Sequence, residues 1–321
     1  MKAFRFSSYD TPPAVQECSA PEAGVGEVQL RIAACGLNFA DLLMATGKYQ
    51  ERPTLPATLG MELAGTVTAV GPDTSGPAPG TRVAVFGGSG GLAEVGVFPA
   101  DRCVPLPDGM SFADAAAFQV AYGTSHLALD HKARLQPGET LLVLGAAGGV
   151  GLTAVEIGKL MGARVIAAAR GADKLAVASA AGADHLIDTG TEDLREAVRA
   201  LGGADVVYDP VGGDQFTAAM RACRPEARLI VIGFASGDVP QIPANHLLVK
   251  NLSVLGLYWG GYMAFRPEIV TDSLSQLFAW YAEGRLKPHI SHRLPLDRAG
   301  EGMELLRSRK STGKVVIEIG T

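Results

Sequence analysis

The chain has 321 residues, a length that predicts about two domains at roughly 150 residues each. Apolar residues make up 47% of the sequence and charged residues 19%, which excludes a disordered chain and a coiled coil. Glycine (40) and proline (19) stay below the share that marks a low-complexity chain or a collagen-like repeat. The formal net charge is −5 and no basic stripe is present, so we expect no nucleic-acid partner.

The N-terminal and cysteine patterns indicate a cytoplasmic protein. Residues 1–6 lack the apolar stretch of a secretory signal peptide. No window of about 18 apolar residues occurs, so we expect neither a transmembrane helix nor a membrane partner. The four cysteines form no CxxC pair, which is typical of free thiols in a reducing compartment.

The first third of the chain is predicted to be rich in β-strands. Val28–Ala34 alternates apolar with small or polar residues, as a half-buried strand does. Glu62–Val70 and Thr81–Phe86 are short apolar runs separated by Gly-Pro and Pro-Gly turns. Many short strands with such turns predict a small barrel-like domain.

From Thr140 onward, apolar strands alternate with helical stretches. The predicted strands are Thr140–Leu144, Arg164–Ala169, Asp184–Asp188, Ala204–Asp209 and Arg228–Gly233. The predicted helices between them are 150–161, 174–181, 193–201 and 213–223. This alternation is typical of βαβ units, so we expect an α/β fold with a doubly wound parallel sheet.

The C-terminal part predicts a return to the first domain. A strand over 251–257 and a helix over 270–282 precede the alternating run 314–319. A lone final strand fits best in the β-rich domain. We therefore expect that domain to hold residues 1–122 and 261–321, with a dinucleotide-binding domain, 123–260, inserted between them.

A glycine-rich turn follows the strand that ends at Leu144 and opens the next helix. Its residues are Gly145, Ala146, Ala147, Gly148, Gly149, Val150 and Gly151. This context predicts a dinucleotide site, because glycines admit the backbone to a pyrophosphate and the helix N-terminus favours an anion. Ala146 departs from the plain GxGxxG pattern, and the alternative interpretation is a βα turn without a ligand.

The next strand predicts which dinucleotide binds. NAD sites carry an acidic residue about 20 positions on, where it binds the ribose hydroxyls. Here the strand ends at Arg170, and Lys174 follows one helical turn later. Guanidinium pairs well with phosphate oxygens, so these cations predict the 2′-phosphate of NADPH rather than NADH. The alternative is that both are solvated cations beside Asp173.

The sequence resembles the medium-chain dehydrogenase/reductase superfamily, in the zinc-independent quinone oxidoreductase branch that includes zeta-crystallin. Its carriers are Ala34–Asn38, Leu59–Gly65, Gly145–Gly151, Tyr208–Gly213 and Ser311–Lys314. The resemblance implies a Rossmann sheet inserted in a GroES-like domain. It also implies a homodimer through the cofactor domain, with the edge strand near 251–257 as one way of pairing.

The resemblance predicts that no metal is bound. Zinc alcohol dehydrogenases of the superfamily have Cys-Gly-x-Cys and Gly-His-Glu where this chain has Asn38 and Met61. Glu62 remains, but a catalytic zinc needs about three such ligands. Between residues 80 and 110 Cys103 is the sole cysteine, so the structural zinc lobe is also missing. These differences argue against an alcohol dehydrogenase.

The resemblance also implies roles for individual residues. Asn38 is the first catalytic candidate, as a hydrogen-bond donor to a developing oxyanion or as a contact to the nicotinamide ribose; a turn-capping role is the alternative. Tyr49 matches the proposed proton donor of medium-chain enoyl reductases, or is a packed aromatic. The implied cofactor contacts are Thr124, Gly233, Phe234 and Ala235 towards the nicotinamide, Arg309 and Lys314 near the phosphates, and Val211 without an assigned part of the cofactor.

The sequence thus supports an NADPH-dependent quinone oxidoreductase whose hydride passes to a quinone in an interdomain cleft. Quinones accept hydride without a metal because the electrons delocalise onto oxygen, and the protein then has to position the reactants. A reductase of activated C=C bonds, such as 2-alkenals, haloacrylates or enoyl thioesters, is the first alternative. An NADPH-binding protein without physiological turnover is the second.

Overall fold

β-Strands form most of the N-terminal part of the chain, as its alternating apolar residues predict. The structure is a computed structural model that describes residues 1–320. The strands here are β1 (Lys2–Phe6), β2 (Ala14–Glu17), β3 (Glu27–Leu37), β4 (Ala57–Thr58), β5 (Glu62–Val70), β6 (Arg82–Phe86), β7 (Val95–Pro99) and β8 (Cys103–Pro105). The helices are α1 (Phe39–Ala45) and α2 (Phe112–Ala116), with a 3₁₀ turn at Ala100–Arg102.

Strands and helices alternate through the middle of the chain. Helix α3 (Gln119–His126) continues into a π-helical turn, Leu127–Lys132. The strands are β9 (Thr140–Leu144), β10 (Arg164–Ala169), β11 (His185–Asp188), β12 (Ala204–Asp209), β13 (Cys223–Val231) and β14 (Ser253–Gly256). The helices are α4 (Gly149–Leu160), α5 (Ala172–Ala180), α6 (Leu194–Ala200), α7 (Gly213–Ala222) and α8 (Ala244–Lys250).

The C-terminal part begins with two helices and ends in a strand. Its elements are α9 (Trp259–Phe265), α10 (Pro267–Ala282), β15 (Ile290–Pro295), a 3₁₀ turn at Leu296–Arg298, α11 (Ala299–Arg307) and β16 (Lys314–Glu318). Strand β16 pairs antiparallel with β3, where Val315 lies opposite Leu37. The prediction that the last strand returns to the β-rich domain is therefore confirmed.

The described residues divide into two compact units. Unit 1 consists of Met1–Val120 and the described residues from Pro288 onward, and unit 2 is Ala121–Lys287. Residues 261–287, expected from the sequence in the β-rich domain, belong to unit 2 in the structure. The reason is their packing: Ser273 of α10 lies 2.8 Å from the Nδ1 atom of His126, and the N–H of Lys287 donates to Glu156.

Unit 1 is built on a sheet with the strand order β15-β16-β3-β5-β6-β8, in which β7 also pairs with β3. A smaller sheet has the order β2-β1-β4. Strand β3 is long and apolar on its inner face, and Leu30, Ile32 and Leu37 are buried along it. The end of β3 delivers Asn38 to the start of α1, which matters for the site described below.

Unit 2 is built on a parallel sheet with the strand order β11-β10-β9-β12-β13-β14. Counted along the chain this is 3-2-1-4-5-6, the doubly wound order whose direction reverses between the first and fourth strands. Helix α7 packs Phe216 into the core beside Leu142, Ile166 and Val207. The predicted doubly wound sheet is confirmed; β14 lies at its edge, and the homodimer expected through this edge stays a prediction.

Residues 1–320 contain no helix that is both long and apolar enough to cross a membrane.

Candidate cofactor-binding and active site

Most of the predicted cofactor contacts of unit 2 lie along one edge of its sheet. The glycine-rich turn follows β9, Arg170 follows β10, Val211 follows β12, and Gly233–Ala235 follows β13. These strands are parallel neighbours, so their carboxyl ends meet at the same edge. In such sheets ligands bind outside these ends, where the strand order reverses, which here is between β9 and β12.

The glycine-rich turn is closely packed around two of its glycines. Gly145 has a φ of +58°, which favours glycine. A Cβ built on Gly151 would lie 2.3 Å from the carbonyl oxygen of Gly145, so Gly151 has no room for a side chain. A Cβ on Gly148, the N-cap of α4, would lie 3.3 Å from the same oxygen. The turn thus leaves the bare backbone of Gly148 at the start of a 12-residue helix, an arrangement that suits a pyrophosphate.

A buried group of hydroxyls ties this turn to α3. Ser125 Oγ donates to the carbonyl of Val150 over 2.9 Å, and it lies 2.8 Å from Thr153 Oγ1 and 3.0 Å from the phenol oxygen of Tyr208. Burial raises the pKa of Tyr208, so its hydroxyl stays protonated. The buried Thr124 precedes Ser125 on the same helix. The sequence predicted no role for Ser125 and, although Tyr208 lies in a segment that carries the resemblance, no contact between them, because hydrogen bonds between distant residues leave no local pattern.

The loops after β12 and β13 are joined to each other. The N–H of Ala235 donates to the carbonyl of Pro210 over 3.0 Å, and the N–H of Ser236 donates to that of Val211 over 2.9 Å. A Cβ on Gly145 would lie 3.0 Å from Cγ2 of Val211. The structure therefore brings Val211 to the glycine-rich turn and joins Ala235 to the loop that carries Val211, and Phe234 is 40% exposed.

Arg170 lies next to a carboxylate that the sequence analysis did not single out. Asp188, the last residue of β11, accepts the N–H of Gly171 over 3.0 Å and that of Gly190 over 2.9 Å. These N–H groups, and Arg170 nearby, hold the pKa of Asp188 below its ordinary value. A Cβ on Gly190 would lie 3.2 Å from Cγ of Arg170, so the side chain of Arg170 runs past Gly190. Asp188 thus holds the turn from which Arg170 and Lys174 extend.

In unit 1 the side chain of Asn38 faces a buried ion pair. Lys314 Nζ donates to Asn38 Oδ1 over 2.7 Å, to Glu62 Oε2 over 2.9 Å and to the carbonyl of Leu37 over 3.0 Å. Asn38 Nδ2 in turn donates to Glu62 Oε2 over 3.1 Å, and the N–H of Val120 donates to Glu62 Oε1 over 2.9 Å. Lys314 is 5% exposed and Glu62 0%. The ammonium that the resemblance places near a cofactor phosphate is already saturated by acceptors of its own unit.

Asp41 is a buried carboxylate that holds the backbone next to Asn38. Its carboxylate accepts the N–H of Asn38 over 2.8 Å and the N–H of Gly60 over 3.2 Å. Burial raises the pKa of Asp41 to about 6, although these N–H groups and Lys314 favour the ionised form. Asp41 therefore fixes the backbone of Asn38 between β3 and α1. The cost is the desolvation of its buried carboxylate, which is what raises the pKa.

The raised pKa of Asp41 makes its contribution to stability depend on pH. In the unfolded chain an aspartate titrates near ~3.9, so between pH 7 and 5 the folded state takes up a proton that the unfolded state does not. Stability from Asp41 therefore increases as the pH falls. We expect the loss of unfolding free energy in Asp41→Ala to be larger at pH 5 than at pH 7 by roughly 1 kcal/mol. Hydrogen exchange of the β3 and β5 amides, corrected for intrinsic rates, measures this difference.

Asp184 of unit 2 is the matched control, and its effect is measured by hydrogen exchange of the β10 amides, since Asp184 accepts the N–H of Val165. Burial opposes its ionisation, but the ammonium of Lys159 and the N–H of Val165 outweigh burial and lower its pKa. The stability that Asp184 contributes is lost only when the pH falls below the pKa of aspartate in the unfolded chain. The loss of unfolding free energy in Asp184→Ala should therefore stay constant from pH 7 to pH 5. A constant penalty for Asp41→Ala as well would contradict the assignment of Asp41.

The two remaining predicted residues, Tyr49 and Arg309, lie in the segments that follow α1 and α11. Tyr49 is partly exposed in the bend that follows α1. Arg309 is exposed after α11 and has a φ of +55°. Across residues 1–320 no group of three or more His, Cys, Asp or Glu side chains is arranged to hold a metal ion.

Both parts of the chain match families of known proteins. Residues 24–108 match the family described as "Alcohol dehydrogenase GroES-like domain", and residues 149–276 match "Zinc-binding dehydrogenase". The chain is 42% identical over 305 residues to the quinone oxidoreductase-like protein 2 homolog of Nematostella vectensis, which covers 93% of this chain and 83% of that protein.

Solved structures agree with these matches along nearly the whole chain. The quinone oxidoreductase of Thermus thermophilus, which was also solved with NADPH, is 35% identical with a TM-score of 0.88, covering 99% of this chain and 100% of that one. The Escherichia coli quinone oxidoreductase complexed with NADPH is 29% identical with a TM-score of 0.91, covering 99% of this chain and 100% of that one.

Proposed function

Because the chain belongs to the quinone oxidoreductase branch of the medium-chain dehydrogenase/reductase superfamily, we propose that it reduces quinones with NADPH and without zinc. The observation that carries the cofactor assignment is the point between β9 and β12 where the strand order reverses, because the bare backbone of Gly148 opens α4 there and Arg170 follows the neighbouring strand β10. The nicotinamide, when bound, supplies the hydride. The protein's own residues have to bind and orient the cofactor and the acceptor.

Each unit has its own candidate residues, and the two sets differ in chemistry. In unit 2 the N–H groups at the start of α4 suit a pyrophosphate, and Arg170 with Lys174 suits a 2′-phosphate. Thr124, Val211 and Phe234 would contact the nicotinamide end. In unit 1 Asn38 presents a carboxamide held by Lys314 and Glu62.

The residues at the positions of the zinc ligands, and the ion pair of Glu62, support a function without zinc. Asn38 and Met61 stand where zinc-containing relatives have thiolate and imidazole ligands, and neither is a good zinc ligand. The carboxylate of Glu62 is paired with the Lys314 ammonium at 2.9 Å. An electrophilic acceptor such as a quinone makes a Lewis acid unnecessary.

Oxidation of NADPH against a panel of quinones and enones, with NADH run in parallel, tests the proposal. We expect turnover with several quinones and a preference for NADPH. A purified protein that oxidises NADPH with none of the quinones refutes quinone reduction. Tight NADPH binding without turnover on any acceptor would instead support the non-catalytic alternative.

Reduction of activated C=C bonds is the second candidate, and Tyr49 favours it. This residue is partly exposed, and a phenol can protonate the enolate that follows hydride addition. Tyr49→Phe separates the two functions. A large loss of activity with enones but not with quinones would identify Tyr49 as a proton donor.

Arg170 should determine the preference for NADPH. We expect Arg170→Ala to lower kcat/KM with NADPH by about 10- to 100-fold, because a guanidinium–phosphate contact is lost, and to change kcat/KM with NADH by less than about 2-fold. Arg221→Ala, which removes an exposed arginine from α7, is the matched control and should change neither value. Equal losses with both cofactors would show that Arg170 is not a 2′-phosphate ligand.

A further inference from the structure

Lys314 and Asn38 meet in unit 1 although they are 276 residues apart in the chain. We propose that Lys314 is a positioning residue whose buried ammonium orients the carboxamide of Asn38 for its work on the cofactor or acceptor. Lys314 comes into place because β16 pairs with β3, where Val315 lies opposite Leu37. The strand pairing brings the ammonium to Asn38, the N-cap of α1.

Two ionised groups dictate which way the amide faces. An ammonium has three hydrogens and no acceptor, so the group that Lys314 contacts at 2.7 Å must be the amide oxygen of Asn38. An ionised carboxylate accepts only, so the group facing Glu62 at 3.1 Å must be the amide nitrogen. A flipped amide would put N–H against an ammonium and oxygen against a carboxylate. The pair therefore excludes the flipped orientation.

The ion pair also leaves Asn38 with one weakly held donor. The first hydrogen of Nδ2 is taken by Glu62, and the second is directed at the carbonyl of Gly36 over 3.3 Å, a long contact. Asn38 is itself partly exposed, unlike Lys314 and Glu62. The weakly held N–H is the group that an oxygen of the cofactor or acceptor would take. This step rests on the proposed function, in which Asn38 contacts one of them.

Burial separates this role from a direct phosphate contact. Lys314 is 5% exposed, and its ammonium hydrogens are shared among Leu37, Asn38 and Glu62. Moving it to a phosphate would leave the 0% exposed Glu62 as an unpaired buried charge, which is strongly unfavourable. The two roles also predict different kinetics. Loss of a phosphate ligand raises the KM for NADPH, whereas loss of a positioning residue lowers kcat because Asn38 is no longer oriented.

A double-mutant cycle between Lys314 and Asn38 tests the proposal. The variants are Lys314→Met, Asn38→Ala and their combination, assayed for kcat and KM with NADPH and with NADH. We expect Lys314→Met to lower kcat by about 10- to 100-fold with both cofactors, the cost of a misplaced group. In the Asn38→Ala background the same change should cost less than about 2-fold. Lys310→Met, which removes an exposed lysine nearby in sequence, is the control.

Two results would overturn the proposal. One is a loss confined to the KM for NADPH, which identifies a phosphate contact. The other is a pair of independent losses that multiply in the combined variant. If Lys314→Met does not fold, Lys314→Met/Glu62→Met takes its place in the cycle, because that double variant leaves neither buried charge unpaired. With Asn38 present, this double variant should have a kcat about 10- to 100-fold below that of the wild type, and adding Asn38→Ala should lower kcat further by less than about 2-fold.

A readout without turnover keeps this proposal distinct from the proposed function. In ¹⁵N-labelled protein the side-chain Nδ2 signals of Asn38 are identified by their absence in Asn38→Ala. We expect these signals to shift and their hydrogens to exchange faster in Lys314→Met, and in Lys314→Met/Glu62→Met if the single variant is unfolded. Unchanged signals refute the positioning role even if quinones are reduced. Shifted signals in a protein that reduces no acceptor refute only the proposed function.

Discussion

Gly151→Ala is expected to abolish measurable NADPH binding, with a dissociation constant raised by more than about 100-fold. Its Cβ would lie 2.3 Å from the carbonyl oxygen of Gly145, so the turn has to open to admit it. That rearrangement moves the N–H groups at the start of α4 and overpacks the βα junction, which should also cost about 1–3 kcal/mol of stability. NADPH fluorescence titration and thermal unfolding measure the two effects.

Gly148→Ala provides the matched comparison within the same turn. Its Cβ would lie 3.3 Å from the oxygen of Gly145, and its φ of −78° suits alanine. We expect a stability loss of only about 1 kcal/mol, the cost of alanine at an N-cap, but an NADPH dissociation constant raised by about 10- to 100-fold. Gly256→Ala, where a Cβ meets nothing within 4 Å, should leave NADPH binding unchanged. If Gly151→Ala binds NADPH as tightly as the wild type, the turn is not the pyrophosphate site.

Glu62→Ala is expected to destabilise unit 1 by about 3–5 kcal/mol, because it leaves the Lys314 ammonium buried without a counter-charge. Glu62 is 0% exposed, and the substitution also removes the acceptor of the Val120 N–H. Tryptophan fluorescence is a poor probe of this change, since Trp259 and Trp280, the two tryptophans of the chain, belong to unit 2. Hydrogen exchange of the β3 and β5 amides measures the stability of unit 1 directly.

Lys314→Met/Glu62→Met shows whether charge or packing is responsible. Replacing both members of a buried ion pair by apolar side chains is often neutral, so this variant should lie within about 2 kcal/mol of the wild type. Its quinone reductase activity should nevertheless be low, because Asn38 has lost both groups that orient it. A double variant as unstable as Glu62→Ala would mean that packing or the Val120 N–H, rather than the unpaired ammonium, sets the cost.

The parallel domain could be predicted from sequence because its signals are local. The apolar run Thr140–Leu144 and the glycines after it define a strand, a turn and a helix within about 20 residues of one another. The structure has the strand at the predicted bounds and the helix at Gly149–Leu160, one residue earlier than predicted. The final strand was predictable for the same reason, because the alternating residues 314–319 that indicate it include the whole of β16, Lys314–Glu318.

The sequence by itself determined the βαβ alternation, the family resemblance and the glycine-rich turn, because each depends on residues close together in the chain. Only the tertiary structure decided the partners of the buried charges. Lys314 and Glu62 are 252 residues apart, and they meet because both β16 and β5 pair with β3. The grouping of residues 261–287 with unit 2 likewise depends on α10 packing beside His126. These contacts are determined by strand pairing and burial and not by residues that are neighbours in the sequence. No local sequence pattern therefore predicts them.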